Sequence, residues 1–230
     1  MNTIKQNFYQ IQSKIRHAEI ACQRDKGSVQ LLAVSKTKPA SDIAELYRLG
    51  QRHFGENYLQ EALEKQRQLG AFNISWHFIG PIQSNKTKSI AEHFSWVHSV
   101  DRLKIAKRLS EQRPHFLPPL NICLQVNISD EDSKSGVSLA GLPKLVADVN
   151  ALPNIRLRGV MAIPAPQTDY ELQREPYRKL YQAIADLKLS ELDTFSFGMT
   201  GDLKAAIAEG ATMVRIGTAL FGQRDYSSKQ

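Results

Sequence analysis

The alternation of short apolar segments with helical segments constrains this fold more than any other feature. Eight segments have the length and composition of buried strands, and helical stretches such as SDIAELYRLG and LKAAIAEG lie between most of them. Strict alternation of this kind predicts a parallel sheet covered by helices. The predicted strands cover residues 31–35, 51–54, 76–79, 96–100, 122–128, 157–163, 194–197 and 213–216.

Eight strand–helix units in roughly 200 residues predict a closed (β/α)8 TIM barrel near the small end of its size range. The competing fold is an open, doubly wound sheet. Against that fold, no G-x-G-x-x-G motif opens a helix anywhere in the sequence. The chain shows no linker and no low-complexity segment, so we expect residues 1–230 to form a single domain.

An extra helix is predicted ahead of the first strand. Apolar residues recur there at spacings of three and four, which is the pattern of an amphipathic helix. The helix should cover residues 3–25 and end near Gly27. Its apolar residues are Ile4, Phe8, Ile11, Ile15 and Ala18.

The composition indicates the cellular compartment of the protein and the charge of its binding partners. Cys22 and Cys123 lie far apart without a CxxC pair, and the first residues lack the apolar block of a signal peptide, so we expect a reduced, cytoplasmic setting. No apolar run approaches membrane-spanning length. The net charge of +7 favours an anionic partner, but it is spread along the chain without a basic stripe, which argues against nucleic acid.

Polar side chains recur at the carboxyl ends of the predicted strands, where TIM barrels carry their functional groups. Lys36 ends the first strand in LLAVSKTKP, and Glu56 and Asn57 follow the second in HFGENY. Met161 lies near the end of the sixth strand. A lysine at a strand end is most often an ordinary surface residue, so Lys36 alone does not indicate a site.

The turns after the seventh and eighth strands have the character of a phosphate site. Thr200 and Gly201 precede one helix, and Gly217 and Thr218 precede another. Small residues let backbone N–H groups approach a phosphate, and this pair of loops is a recurrent phosphate site in barrels. The alternative is that Thr200 and Asp202 are ordinary helix caps.

The inward face of the eighth strand carries an arginine. In MVRIG, strand alternation turns Val214 and Ile216 toward the helices, so Arg215 should point into the barrel, where it needs an acceptor or an anion. Closure pairs this strand with the first and brings Arg215 near Lys36. Repulsion and desolvation then favour the neutral Lys36 amine, which can attack a carbonyl. A nucleophilic lysine, a phosphate cradle and an inward arginine together suit pyridoxal 5′-phosphate (PLP).

The histidines do not predict a metal site, because the six of them are dispersed without HxxxH or HxH spacing. His77 alternates with Trp76 and Phe78, so it is expected to be a hydrogen-bonded core residue. His98 is expected at the mouth of the barrel, without an obvious partner.

Seven segments resemble the motifs of the pyridoxal phosphate homeostasis protein family, over nearly the whole chain: AVSKTKP, FGENYLQE, WHFIGPIQSNK, VHSVD, NISDEDSKSGV, GVMAIP and GMTGDLKAAIAEGATMVRIGTALFG. The resemblance implies a cytosolic, monomeric barrel similar to the N-terminal domain of alanine racemase, the fold type III of PLP proteins. It also implies a Schiff base between PLP and Lys36. The cofactor would be lined by Asn57, Met161, Thr200, Arg215, Gly217 and Thr218.

The sequence departs from the family pattern at one of these positions. The family usually has serine where this chain has Thr200, but a threonine hydroxyl can still donate to a phosphate. Lys134, in SKSG, matches the family and is a secondary candidate for an aldehyde or a phosphate.

The resemblance implies a role in PLP homeostasis and in amino- and keto-acid balance, with PLP-dependent apo-enzymes as recipients and without established catalytic turnover. Arg215 would face the pyridine nitrogen and keep it unprotonated, so that the ring is a weaker electron sink. Racemases that share this barrel also use a tyrosine from a second domain, and this chain ends soon after its eighth strand. A PLP-dependent amino-acid racemase remains the alternative function.

Overall fold

The computed structural model describes residues 3–129 and 135–223. The elements follow one another as α1 (Ile4–Ala21), β1 (Gln30–Val34), α2 (Ala40–Arg48), β2 (His53–Glu56), α3 (Leu59–Gln68), β3 (Ser75–Phe78), a 3-10 helix (Ser84–Lys86), α4 (Thr87–His93), β4 (Trp96–Val100), α5 (Leu103–Gln112), β5 (Leu120–Asn127), β6 (Val137–Ser138), α6 (Leu142–Asn150), β7 (Ile155–Ala162), α7 (Tyr170–Ala185), β8 (Thr194–Ser196), α8 (Leu203–Ala208), β9 (Met213–Ile216) and α9 (Thr218–Phe221).

Eight of the strands close into a parallel barrel. Neighbours pair in the order β1, β2, β3, β4, β5, β7, β8 and β9, and β9 returns to β1, where Arg215 lies opposite Leu32. The prediction of a (β/α)8 barrel is therefore confirmed. The short strand β6 was not predicted. It pairs with the end of β5 at Val126 and Val137, and two residues are too few to show a periodic pattern.

Strand β2 begins two residues later than predicted and includes Glu56. The reason lies in the side chain of Gln51, whose amide donates to the carbonyls of Leu31 and His53 at 2.8 and 2.7 Å. Gln51 thus reaches the neighbouring strand through its side chain, and regular pairing with β3 starts at His53.

The extra N-terminal helix is present, although it is shorter than predicted. Thr3 caps it, since its hydroxyl accepts from the N–H of Gln6 and the Gln6 side chain accepts from the N–H of Thr3. Four of the five predicted apolar residues are buried and Ile4 is partly buried against them. The helix packs on α8 and α9, so it closes the outside of the barrel beside β9.

Alternate residues of each strand enter two different environments. One set, which we call the outer core, packs between the strands and the helices. It includes Leu31, Ala33, Phe54, Val97, Ile122, Val160, Val214 and Ile216, with Ile43, Leu46, Ile105 and Leu109 from the helices. The other set, the barrel interior, includes Leu32, His77, His98, Met161, Ser196, Met213 and Arg215, all of them buried. The outer core is apolar at these positions, whereas the interior carries polar groups that require hydrogen-bond partners.

Candidate functional site at the carboxyl mouth of the barrel

The loop after β1 holds Lys36, half-buried, where the sequence places it. Thr37 follows with a φ of +62°, a left-handed conformation that strains a β-branched residue. The Glu61 carboxylate accepts the Thr37 N–H at 2.5 Å, and the Lys38 amine donates to the carbonyls of Phe221 and Gln223 at 3.2 and 2.8 Å. The loop that carries Lys36 is thus tied both to α3 and to the end of α9.

A buried ion cluster lies behind this loop. The Lys65 amine donates to the Ser35 carbonyl at 2.7 Å, to Glu56 Oε1 at 2.8 Å and to Glu61 Oε1 at 2.5 Å. Ser35 also donates its hydroxyl to Glu56 Oε1 at 2.6 Å. The cluster anchors the carbonyl of the residue next to Lys36. Sequence reasoning missed Lys65; the available signal was Glu61 four residues before it on a helix, which places the two on one face.

Glu56 belongs to the wall of the barrel rather than to its mouth. Gly55 faces the interior, since a Cβ there would lie 3.1 Å from Ile79 and 3.4 Å from Leu32. Glu56 therefore turns outward to α3, where it is fully buried. Burial raises the pKa of Glu56, and the charge of Lys65 opposes that effect. Its Oε2 atom has no hydrogen-bond partner among the described residues.

Arg215 points into the barrel interior, as predicted, and is buried there. Its Nη1 group donates to the Ser196 carbonyl and, at 3.0 Å, to the Ser196 hydroxyl, while Nη2 donates to the Ala162 carbonyl at 2.9 Å. Burial lowers the pKa of Arg215, but an arginine stays protonated in proteins. The guanidinium is thus held by acceptors at the carboxyl ends of β7 and β8.

The expected closeness of Arg215 and Lys36 is set by the strand register. Arg215 lies opposite Leu32, four residues before Lys36, and four strand residues span about 13 Å. The two side chains therefore enter the mouth from different depths on adjoining strands. The backbone register alone does not fix the distance between the Lys36 amine and the Arg215 guanidinium, so the reactivity of Lys36 stays a prediction.

The prediction for His98 was wrong. His98 is not at the mouth; it is fully buried in the barrel interior with two partners, His77 at 2.8 Å and the Ser196 hydroxyl at 2.9 Å. Ser196 is 98 residues away in the sequence, so local patterns could not reveal the pairing. The prediction for His77 is confirmed, because it is buried and also bonded to His53 at 3.0 Å.

Burial controls the ionisation of these histidines. It lowers the pKa of His98 to about 3, with added repulsion from Arg215, and it lowers the pKa of His77 well below its ordinary value. Both imidazoles are therefore neutral near pH 7.

The other predicted site residues line three separate openings. Lys36, Gly217 and Thr218 border one small cavity of about 30 Å³. Asn57 and Met161 border a larger cavity of about 460 Å³. The structure thus brings Lys36 together with the turn after β9, and Asn57 together with Met161.

The turn after β8 is placed differently from the turn after β9. Thr200 is exposed and borders a groove beside α1, together with Lys14, His17 and Lys204. Asp202 does not cap α8 with its side chain; instead its carboxylate accepts the Met199 N–H and the Tyr177 hydroxyl, both at 2.6 Å. Asp202 therefore occupies the N-cap position of α8, as the helix-cap alternative has it, but without a capping hydrogen bond from its side chain.

Two observations fit a ligand such as PLP in the mouth. The side-chain oxygen of Asn57 is buried without a hydrogen-bond partner among the described residues. Gly80 packs directly on the backbone of Asn57, because a Cβ at this position would come within 2.2 Å of the Asn57 carbonyl oxygen. Gly217 packs closely on the end of β1, because a Cβ at this position would lie 3.3 Å from the Val34 carbonyl oxygen.

Several predictions concern features that the structure does not contain or describe. Lys134 lies outside the described residues. Within the described ranges, no cluster of three His, Cys, Asp or Glu side chains is arranged to bind a metal ion. The helices in these ranges are all too short or too polar to cross a membrane.

Comparison with known sequences shows what the chain is similar to. Residues 2–225 match the family described as alanine racemase, N-terminal domain. The pyridoxal phosphate homeostasis protein of Pseudomonas aeruginosa is 60% identical over 99% of both chains. The protein of the same name from Escherichia coli (strain K12) is 56% identical over 100% of both.

Solved structures agree with these sequences. PipY of Synechococcus elongatus, solved with PLP bound, is 38% identical with a TM-score of 0.78, over 90% of this chain and 100% of that one. An alanine racemase from Clostridium difficile is 15% identical with a TM-score of 0.74, over 98% of this chain and 57% of that one, which shows the fold alone. From the matched residues and the full-length relatives together, this chain belongs to the pyridoxal phosphate homeostasis protein family, on the barrel of the alanine racemase N-terminal domain.

Proposed function

We propose that this chain binds PLP covalently through Lys36 and serves PLP homeostasis as a reversible carrier, without robust catalytic turnover. The observation that carries the proposal is the position of Lys36 in the loop after β1, where it borders one cavity with Gly217 and Thr218. Strand β1 pairs with β9, which carries the buried Arg215. The relatives named for PLP homeostasis, at 56% and 60% identity, support the same ligand.

Each predicted site residue has a role in this proposal. When bound, PLP supplies an aldehyde that condenses with a primary amine and releases one water, and Lys36 provides that amine as the Schiff-base partner. The turn at Gly217 and Thr218 offers backbone N–H groups to the phosphate, because the first N–H groups of a helix have no partner within it. Asn57 and Met161 would line the ring. Thr200 borders a different opening, so its role as a phosphate ligand is proposed on the family resemblance alone.

Arg215 explains why the chain should bind PLP without robust catalytic turnover. Three hydrogen bonds hold its guanidinium at the ends of β7 and β8, and its charge is permanent. A permanent cation beside the pyridine nitrogen disfavours protonation of that nitrogen, so the ring withdraws fewer electrons from an amino-acid substrate. The chain should therefore hold the cofactor and exchange it with other amines faster than it removes an α-hydrogen.

The proposal extends to the setting and to the recipients. PLP-dependent apo-enzymes would receive the cofactor from a cytosolic, monomeric, single-domain carrier. Neither Cys22 nor Cys123 forms a disulfide, which suits a reducing compartment. Burial raises the pKa of the Cys123 thiol to about 12, so that thiol does not compete with Lys36 for the aldehyde.

The test is Lys36→Ala, compared with Lys144→Ala. Lys144 is an exposed lysine on α6 that pairs with Asp148. Lys144→Ala therefore shows the effect of removing a lysine outside the site. After incubation with PLP and reduction with borohydride, peptide mass spectrometry should find the adduct at position 36 in the native chain and in Lys144→Ala. Lys36→Ala should lack both the adduct and the yellow absorption band. An adduct of undiminished yield at another lysine, such as Lys134, would refute the assignment of Lys36.

A PLP-dependent amino-acid racemase is the second candidate, favoured by the barrel shared with alanine racemase. It predicts that the PLP-loaded chain exchanges the α-hydrogen of an added amino acid in deuterated water. A panel of amino acids followed by NMR separates the two functions. Exchange well above that of free PLP at the same concentration would favour the racemase and contradict the carrier.

A further inference from the structure

A continuous chain of polar side chains crosses the barrel interior and ends at Arg215. His53 Nδ1 lies 3.0 Å from His77 Nε2, His77 Nδ1 lies 2.8 Å from His98 Nε2, and His98 Nδ1 lies 2.9 Å from the Ser196 hydroxyl. The same hydroxyl lies 3.0 Å from Arg215 Nη1. The residues come from β2, β3, β4, β8 and β9, so the contact between His98 and Ser196 spans the barrel axis.

The direction of these hydrogen bonds follows from the arginine. A guanidinium only donates, so the Ser196 oxygen must accept from Arg215. The Ser196 O–H is then available to His98 Nδ1, which leaves the proton of the neutral His98 on Nε2. His98 therefore donates to His77 Nδ1, and His77 by the same rule donates from Nε2 to His53 Nδ1.

The reverse direction satisfies fewer groups. If His98 donated from Nδ1, the Ser196 oxygen would accept twice and its own hydrogen would need another acceptor. Among the described residues, the Ser196 hydroxyl contacts only His98 and Arg215. A buried hydroxyl hydrogen without an acceptor is costly, so the direction that starts at Arg215 is favoured.

We propose that Ser196, His98, His77 and His53 form a directional hydrogen-bond relay that positions the guanidinium of Arg215 toward the mouth of the barrel. The consequence for ligand binding rests on the proposed function, because it assumes that Arg215 faces the PLP ring. These four residues act through Arg215 and are positioning residues.

The geometry of the guanidinium explains why its position matters. An arginine has five N–H donors, and acceptors among the described residues take two on Nη1 and one on Nη2. The rest are available to an acceptor such as a pyridine nitrogen. The Ser196 hydroxyl orients Nη1, and His98 in turn fixes the hydroxyl, so the relay sets the plane in which the remaining donors lie.

The first experiment reads the relay without any cofactor. NMR of the native chain with 15N-labelled histidine distinguishes a protonated ring nitrogen from a bare one. We expect His98 and His77 to carry the proton on Nε2, each with a bare Nδ1, in the chain before PLP is added. A proton on Nδ1 of His98 would overturn the relay, whatever the variants do.

The second experiment removes the hydroxyl with Ser196→Ala. The matched control is Ser110→Ala, which also removes one buried hydroxyl. Ser110 lies on α5, outside the relay, and donates its hydroxyl to the Pro153 carbonyl. We expect Ser196→Ala to give mixed tautomers at His98 and to weaken PLP binding about tenfold, the effect of one lost hydrogen bond to a charged group. The control should change neither quantity.

The outcomes separate the two proposals. If no form of the chain binds PLP, the proposed function fails while the tautomers still test the relay. If the tautomers are as expected but Ser196→Ala binds PLP as tightly as Ser110→Ala, the positioning role of the relay is overturned. If PLP binds at Lys36 but His98 carries its proton on Nδ1, the relay fails and the proposed function stands.

Discussion

The barrel interior and the outer core are built from alternate residues of the same strands, yet they follow different rules. The outer core is filled with Leu, Ile, Val and Phe, and its role is burial of apolar surface. The interior holds a buried arginine, two buried histidines and a serine that are hydrogen-bonded to one another, and the bond between His98 and Ser196 crosses the barrel. Stability and function are therefore separated by the two faces of each strand.

One polar cluster breaks this division. Ser35, Glu56 and Lys65 lie on the outer side of the barrel wall, at the end next to the loop that carries Lys36. Lys65 is only 5% exposed and Glu56 is fully buried. A buried ion pair is costly to form but still costlier to break, because one charge is left without its partner. The cluster therefore ties the candidate site to the outer core.

The largest effect on stability is expected from Lys65→Met. This change leaves Glu56 buried without its cation and should lower the free energy of unfolding by about 3–5 kcal/mol. Urea denaturation measures it, with Lys179→Met as the control, since Lys179 forms an exposed pair with Glu175. The control should be close to neutral. Equal midpoints for the two variants would show that the buried cluster contributes no more than a surface pair.

The next effect compares the two faces directly through Leu46→Ala and Leu32→Ala. Both leucines are fully buried, Leu46 in the outer core and Leu32 in the barrel interior beside Arg215. Each change should cost about 3 kcal/mol of stability because it leaves a cavity. Titration with PLP should show weaker binding only for Leu32→Ala. If folded Leu46→Ala lost as much PLP affinity as Leu32→Ala, the two faces of the strands would not differ in function.

A smaller effect is expected from acid. The unfolded chain binds a proton on His98 near its ordinary pKa of 6.5, whereas in the native chain this pKa is about 3. The contribution of the neutral His98 imidazole to stability is therefore complete at pH values above the unfolded-state pKa. It is lost as the pH falls toward the native-state pKa. Between about pH 8 and about pH 5 the loss should be about 2 kcal/mol for this histidine.

The acid prediction is checked with His98→Gln and with His115→Gln, an exposed histidine as the control. Unfolding free energies measured at both pH values should decline less steeply for His98→Gln than for the native chain. His115→Gln should decline as the native chain does. Identical slopes for all three would mean that His98 binds its proton in the native barrel as readily as in the unfolded chain.

The smallest effect is expected from Thr37→Gly. Thr37 has a φ of +62°, which glycine adopts without strain, although glycine also loses more entropy on folding. The net result should be a gain of about 0.5 kcal/mol, measured by thermal unfolding. Lys188→Gly is the control, since Lys188 has a φ of 54° in a turn away from the site. A loss of stability in Thr37→Gly alone would show that the threonine side chain is needed in the loop.

The site could be anticipated only in part. Lys36 at a strand end, the inward direction of Arg215 and the two glycine-containing turns follow from local spacing, because a strand alternates with a period of two. Lys65 was missed and His98 was misplaced, since their partners lie on other elements. Thr200 and Gly217 looked alike in sequence, but only the turn at Gly217 borders the same cavity as Lys36.

What the sequence by itself determined is the set of strand–helix units, their order and the face of each strand that carries polar groups. Apolar periodicity and turn residues are local properties of the chain, so they can be identified from the sequence without a structure. The tertiary structure alone decided which polar groups meet. Closure of the barrel brings His98 on β4 to Ser196 on β8, and the register of β1 against β9 sets the depth of Arg215 below Lys36. Hydrogen bonds depend on distance and angle between residues far apart in the chain, and no spacing along the sequence encodes those quantities.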